Sequence, residues 1–159
     1  MPRPIKFRAW FRPTDKYKAD YVDRYGKELP DLEVEYYTEE AFLDDPWVNT
    51  DNYESIIFEQ YTGLDDKNGV PIYEGDIIQE TILADDTTDG TYRYEVYWDE
   101  DMLCWSIKGI SDIDYHLRDG LWETNASREV IGNIHEPPKD FRPEHLKRMG
   151  VSISKGGEE

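Results

Sequence analysis

The chain has 159 residues, 38% hydrophobic and 14% aromatic, enough for one ordinary core or a small core with an extension. Twelve Tyr and five Trp argue against disorder, and the single cysteine, Cys104, excludes an intrachain disulfide. With 18 Lys and Arg against 36 Asp and Glu the formal net charge is -18, which disfavours nucleic acid and anionic membrane as direct partners.

The charge is unevenly spread. Residues 1–27 hold 8 basic and 3 acidic side chains, a net of +5, and residues 28–136 hold 5 basic and 29 acidic, a net of -24. Residues 137–159 hold 5 basic and 4 acidic, a net of +1. The opening MPRPIKFRAWF lacks the apolar run of a secretory signal, and no run is long enough to span a membrane. A soluble cytoplasmic protein is the expectation.

In chain order, IKFRAWF alternates, with Ile5, Phe7 and Ala9 on one strand face and Lys6, Arg8 and Trp10 on the other. RPTDK (12–16) is a turn, and YKADYV (17–22) is expected to return as the second arm of a hairpin. DLEVEYY (31–37) alternates again. Thr38 is placed to cap a short helix over TEEAFLDD, which Pro46 ends. YESIIFEQYTG (53–63) is the next strand.

LDDKNGVPIYEGD then carries two reversals. Asn68-Gly69 supplies the positive φ of a tight turn, and Glu74-Gly75 makes a second bend. Asp76 is suited to hold that bend by accepting a backbone N–H, ahead of the β-branched strand IIQETIL. DDTTDG (85–90) is a polar tip. In YRYEVYW, Tyr92, Tyr94, Val96 and Trp98 share a face; DEDM turns and CWSIKGI (104–110) returns. REVIGNI (128–134) is a last strand, and Pro143 and Gly150 bracket the short helix PEHLKRM.

This pattern predicts a mainly β chain, with a small SH3-like barrel in its C-terminal part and an N-terminal β-hairpin or α+β extension. The expected organisation is an N-terminal β-rich region with an acidic insert (1–61), a barrel (62–136), and a short helix with a tail (137–159). Ile77, Val96, Trp105 and Ile131 are expected inside.

Chemistry is sparse. One Cys and three separated His (116, 135 and 145) make no zinc site. DDTTDG fails as a calcium loop because its twelfth position is Val96 rather than Glu. Cys104, between Leu103 and Trp105, reads as a structural thiol. No nucleophile motif or phosphate-binding glycine loop occurs, so the expectation is no enzyme, no cofactor and no metal.

Three ordered segments, IKFRAW, QYTGLDDKNGVPIYEGDII and EVIGNIHEPP, together resemble the YopX family of phage and prophage proteins, over residues 5–137. The resemblance implies an SH3-like C-terminal part and no established activity. The acidic stretch 28–54 departs from shorter members.

Two functions of different class follow. The first is a non-enzymatic interaction module whose unknown protein partner offers a basic surface to Asp85, Asp86, Asp89, Asp99, Glu100 and Asp101. Tyr36, Tyr37, Tyr92, Tyr94, Tyr97, Trp98 and Trp105 are candidates for an aromatic groove. The second is an acidic DNA mimic that inhibits a host DNA-binding protein or nuclease. Self-association is compatible with either.

Overall fold

The structure is a computed structural model, and it describes residues 5–38, 50–84, 88–110 and 127–141. The chain divides into two compact units, Met1–Gly63 and Leu64–Glu159. Strands dominate both.

The first unit is built on β1 (Lys6–Pro13), α1 (Asp15–Tyr25), β2 (Glu33–Thr38) and β3 (Tyr53–Asp65), with a single 3-10 turn at Thr50–Asn52 ahead of β3. β1 lies between β2 and β3, antiparallel to both, with Phe7 opposite Tyr37 and Gln60. Ala9, Phe11 and Tyr37 form one buried cluster, packed against Tyr53 and Ile56. The alternation expected of IKFRAWF holds for direction but not for burial. Arg8 and Trp10, on the opposite face, are as buried as Ala9 and Phe11.

The hairpin arm expected at residues 17–22 is instead α1. Thr14 is its N-cap, with extended backbone and a hydroxyl Oγ1 that accepts the Tyr17 N–H at 3.1 Å. Asp15 sits in the positive first turn, and Gly26, at φ 66°, closes the other end by donating its N–H to Val22 O at 2.7 Å. Tyr17, Tyr21 and Tyr25 recur every four residues and stack on one stripe, with centroids 6.2 and 4.6 Å apart. Tyr17 also packs edge-on to Tyr53 at 5.7 Å, which ties the helix to the sheet. Caps at both ends and a four-residue ring spacing outweigh the weak alternation of that stretch.

The second unit contains β4 (Pro71–Tyr73), which pairs with the end of β3, and β5 (Asp76–Ala84), β6 (Thr88–Asp99), β7 (Cys104–Gly109) and β8 (Arg128–Asn133). The last four form an antiparallel sheet in the order β7-β6-β5-β8. Consecutive residues of β5 enter different cores, because side chains alternate across a strand. Ile78 joins Ile72, Tyr94, Val96 and Ile107, with Leu64, Tyr92, Trp105 and Val130 packed around them. Ile77 joins Ile110 and Phe141, with Ile131 and Ile134 alongside. Each fully buried aliphatic side chain stabilises the fold by about 1.5–3 kcal/mol.

Ile77 and Val96 are thus fully buried, and Trp105 and Ile131 partly so, but they fill two cores on opposite faces rather than one interior. Among the described residues the two four-stranded ladders stay open and no closed barrel forms. No helix among the described residues is long and apolar enough to cross a membrane. The helices expected after Thr38 and over 143–149 lie outside the described residues.

Candidate functional site

The two reversals after β3 are held by buried carboxylates. Asp66 is almost wholly buried, and its Oδ1 accepts the N–H groups of Asn68 (2.7 Å) and Val70 (2.9 Å). Its Oδ2 accepts the N–H of Val130, on β8, at 3.0 Å. The turn is closed by Gly69 N–H to Asp66 O (3.0 Å) and Asp66 N–H to Val70 O (2.7 Å), with Gly69 at φ 80°. Only Gly69 takes positive φ here and Asn68 does not. The loop is therefore a three-residue reversal ending in a left-handed glycine, not a two-residue turn with both central φ positive. Burial tends to raise the Asp66 pKa, but the hydrogen bonds from Val130, Val70 and Asn68, with the charge of Lys67, outweigh it and hold the carboxyl below its ordinary value.

Asp76 performs the role expected of it, its Oδ2 accepting the Tyr73 N–H at 2.8 Å. Gly75, at φ 77°, donates its N–H to Val96 O and accepts the Ile134 N–H, both at 2.9 Å. The conspicuous turn block is thus a joint that pins β4, β5, β6 and β8 together.

The hairpin between β6 and β7 differs in what it shows to solvent. Asp99 is 5% exposed, and its Oδ1 accepts the N–H groups of Asp101 (3.0 Å) and Met102 (3.1 Å). Its Oδ2 accepts the Tyr97 hydroxyl at 3.3 Å. Asp99 is a clamp inside the turn, so its carboxylate is not offered to a partner as expected. With the turn fixed, Glu100, Asp101, Met102 and Leu103 all face solvent. Leu103 has φ 51° and is 73% exposed. Met102 is 57% exposed, and Trp98, edge-on to Trp105 at 5.1 Å, is 41% exposed.

Of the six carboxylates singled out as partner contacts, Glu100 and Asp101 are brought together at one exposed tip and Asp99 lies beneath them. Asp89 is on β6 opposite Leu83. Asp85 and Asp86 lie outside the described residues. The aromatic candidates differ in exposure. Tyr94 is core, Tyr37 is buried with its hydroxyl donating to Glu35, and Tyr36 is exposed on the first unit. Met102 and Leu103 were missed. The available signal was two large apolar residues placed inside a turn.

Two further places in the first unit gather polar side chains. A cleft of about 300 Å³ is lined by Tyr17, Asp20, Tyr21, Arg24, Tyr25 and Asn52. Burial, then Tyr17 and Glu33, push the neighbouring Tyr53 hydroxyl up to about 12, so it stays protonated. Within the sheet, Arg8 Nε and Trp10 Nε1 both donate to Glu59 Oε2, at 2.6 and 2.8 Å, a buried ion pair that locks β1 to β3. No group of three or more His, Cys, Asp or Glu among the described residues is placed to hold a metal ion.

The family model described as "YopX protein" matches residues 6–141. The chain belongs to the YopX family. No curated protein matches this YopX chain. Among solved structures, protein EF1440 from Enterococcus faecalis is similar at 24% identity, over 85% of this chain and 96% of that one, with a TM-score of 0.42. The family match spans both units and includes Arg8, Trp10, Glu59, Asp66, Asp76 and the β6–β7 tip.

Proposed function

We propose that this YopX protein is a non-enzymatic protein-interaction module, phage or prophage encoded and acting in the bacterial cytoplasm, that docks on a basic surface of another protein. The four-stranded antiparallel sheet of β5 to β8 supports reading its second unit as an SH3-like module. Function must still be argued from a site, since one fold serves many functions.

The observation that carries the proposal is the β6–β7 tip, where Glu100 and Asp101 stand exposed on a turn that Asp99 holds rigid. A preformed charged projection loses little conformational freedom on binding, and its field speeds encounter with a cationic surface. The buried polar groups described above serve the fold. Asp66, Asp76 and Asp99 are occupied by backbone donors, and Glu59 by Arg8 and Trp10.

The test is affinity capture from bacterial lysate at about 50 mM and about 500 mM salt, with wild type and with Glu100→Gln/Asp101→Asn. Screening shortens the Debye length from about 10 Å at 0.1 M to about 3 Å at 1 M, so a charge-steered partner is retained best by wild type at low salt. A partner held equally by both proteins at both salts would count against this surface. Competition by duplex DNA for the captured partner would favour the acidic mimic instead.

A further inference from the structure

Leu103 is unfavourable to this chain on two counts. Its φ of 51° lies in the left-handed region, where a side chain with a Cβ is strained. Its side chain is 73% exposed, so burial within the chain offsets little of that strain. Glycine or asparagine would relieve the backbone and remove the exposed apolar surface in one change. The turn itself does not require leucine, because Asp99 fixes it through the N–H groups of Asp101 and Met102. Met102 and Trp98 add further exposed apolar surface at the same end of the hairpin.

We propose that Met102 and Leu103 are the anchor of the docking surface and enter an apolar pocket, rimmed by Lys or Arg, on a protein partner. This rests on the interaction-module reading above and adds its anchor and the chemistry of the partner. Glu100 and Asp101 are exposed and form no ion pair among the described residues, so they are available to a cationic rim. The same two charges argue against other occupants. A two-fold contact between copies would set like charges against each other, and an anionic lipid surface would repel them.

The experiment uses the full chain with a photoreactive amino acid at position 102, and, as control, at Lys16 on exposed α1, irradiated in bacterial cells. The expected result is a cross-link to one protein from position 102 and not from position 16. That protein is then purified and titrated with wild type, Leu103→Gly and Met102→Ala. Leu103→Gly should leave the melting temperature at or above that of wild type, because it relieves strain. It should nevertheless weaken binding about 30-fold, the size of a lost interface anchor. That combination separates binding from folding. Cross-links only to another copy of the chain or to lipid, or an unchanged Kd for Leu103→Gly, would overturn the anchor. If the partner binds but Leu103→Gly changes nothing, only the anchor falls. If neither position cross-links any protein, the interaction-module reading falls with it.

Discussion

Replacing Asp66 by Ala removes the acceptor of three backbone donors at once, those of Asn68, Val70 and Val130. Asn68 and Val70 lie on an exposed turn and can recover water, so their loss costs about 1–2 kcal/mol together. The Val130 N–H is less exposed, and leaving it unsatisfied costs about 1–3 kcal/mol more. The expected total is roughly 2–5 kcal/mol, a large part of a stability that is typically about 5–15 kcal/mol. Asp66→Asn keeps one oxygen for the turn but points an amide N–H₂ at a donor, so it should fall between. The effect should also depend on pH. The folded pKa of Asp66 lies below its ordinary value, so the stability it contributes is present above about pH 4. That stability is lost as pH falls through the folded pKa. Urea denaturation of wild type and Asp66→Ala at pH 7 and at about pH 3 gives the comparison. The gap between the two proteins should be widest at pH 7 and narrow at pH 3. A gap below about 1 kcal/mol at pH 7, or one of equal size at both pH values, would refute the reasoning.

Ile77→Ala should cost about 2–5 kcal/mol in denaturant melts, because Ile77 is fully buried against Ile110 and Phe141. Gly69→Val should lower stability more than Val70→Ala, because Gly69 holds φ 80° while Val70 is 44% exposed; equal melting temperatures would contradict the turn geometry. Glu59→Ala should cost about 3–5 kcal/mol by thermal denaturation, because it deletes the acceptor shared by buried Arg8 and Trp10.

The strands and glycine turns were legible because their signals are local. Positive φ at Gly69 and Gly75 follows from residue type and setting, and Asp76 bonds a near neighbour in sequence. Asp66 was harder, because its Val130 contact spans 64 positions. The helix α1 is not legible locally, because Thr14 and Gly26 act as caps only when Tyr17, Tyr21 and Tyr25 share a helical stripe. The pair of cores was hidden for a related reason. Ile77 and Ile78 are equally apolar, and only the sheet shows that both faces are covered. At the β6–β7 tip the count of carboxylates was visible, but their division was not. Asp99 turned inward to hold the turn, and the apolar Met102 and Leu103 turned outward.

The central claim is that the acidic β6–β7 tip steers this chain onto a cationic protein surface. The most direct measurement is the association rate of the captured partner with wild type and with Glu100→Gln/Asp101→Asn, followed from about 50 to 500 mM salt. The wild-type rate should fall steeply with salt. The variant should start slower and show a flatter slope, and the two should converge at high salt with unchanged melting temperatures. Identical rates and slopes for the two proteins would contradict the claim.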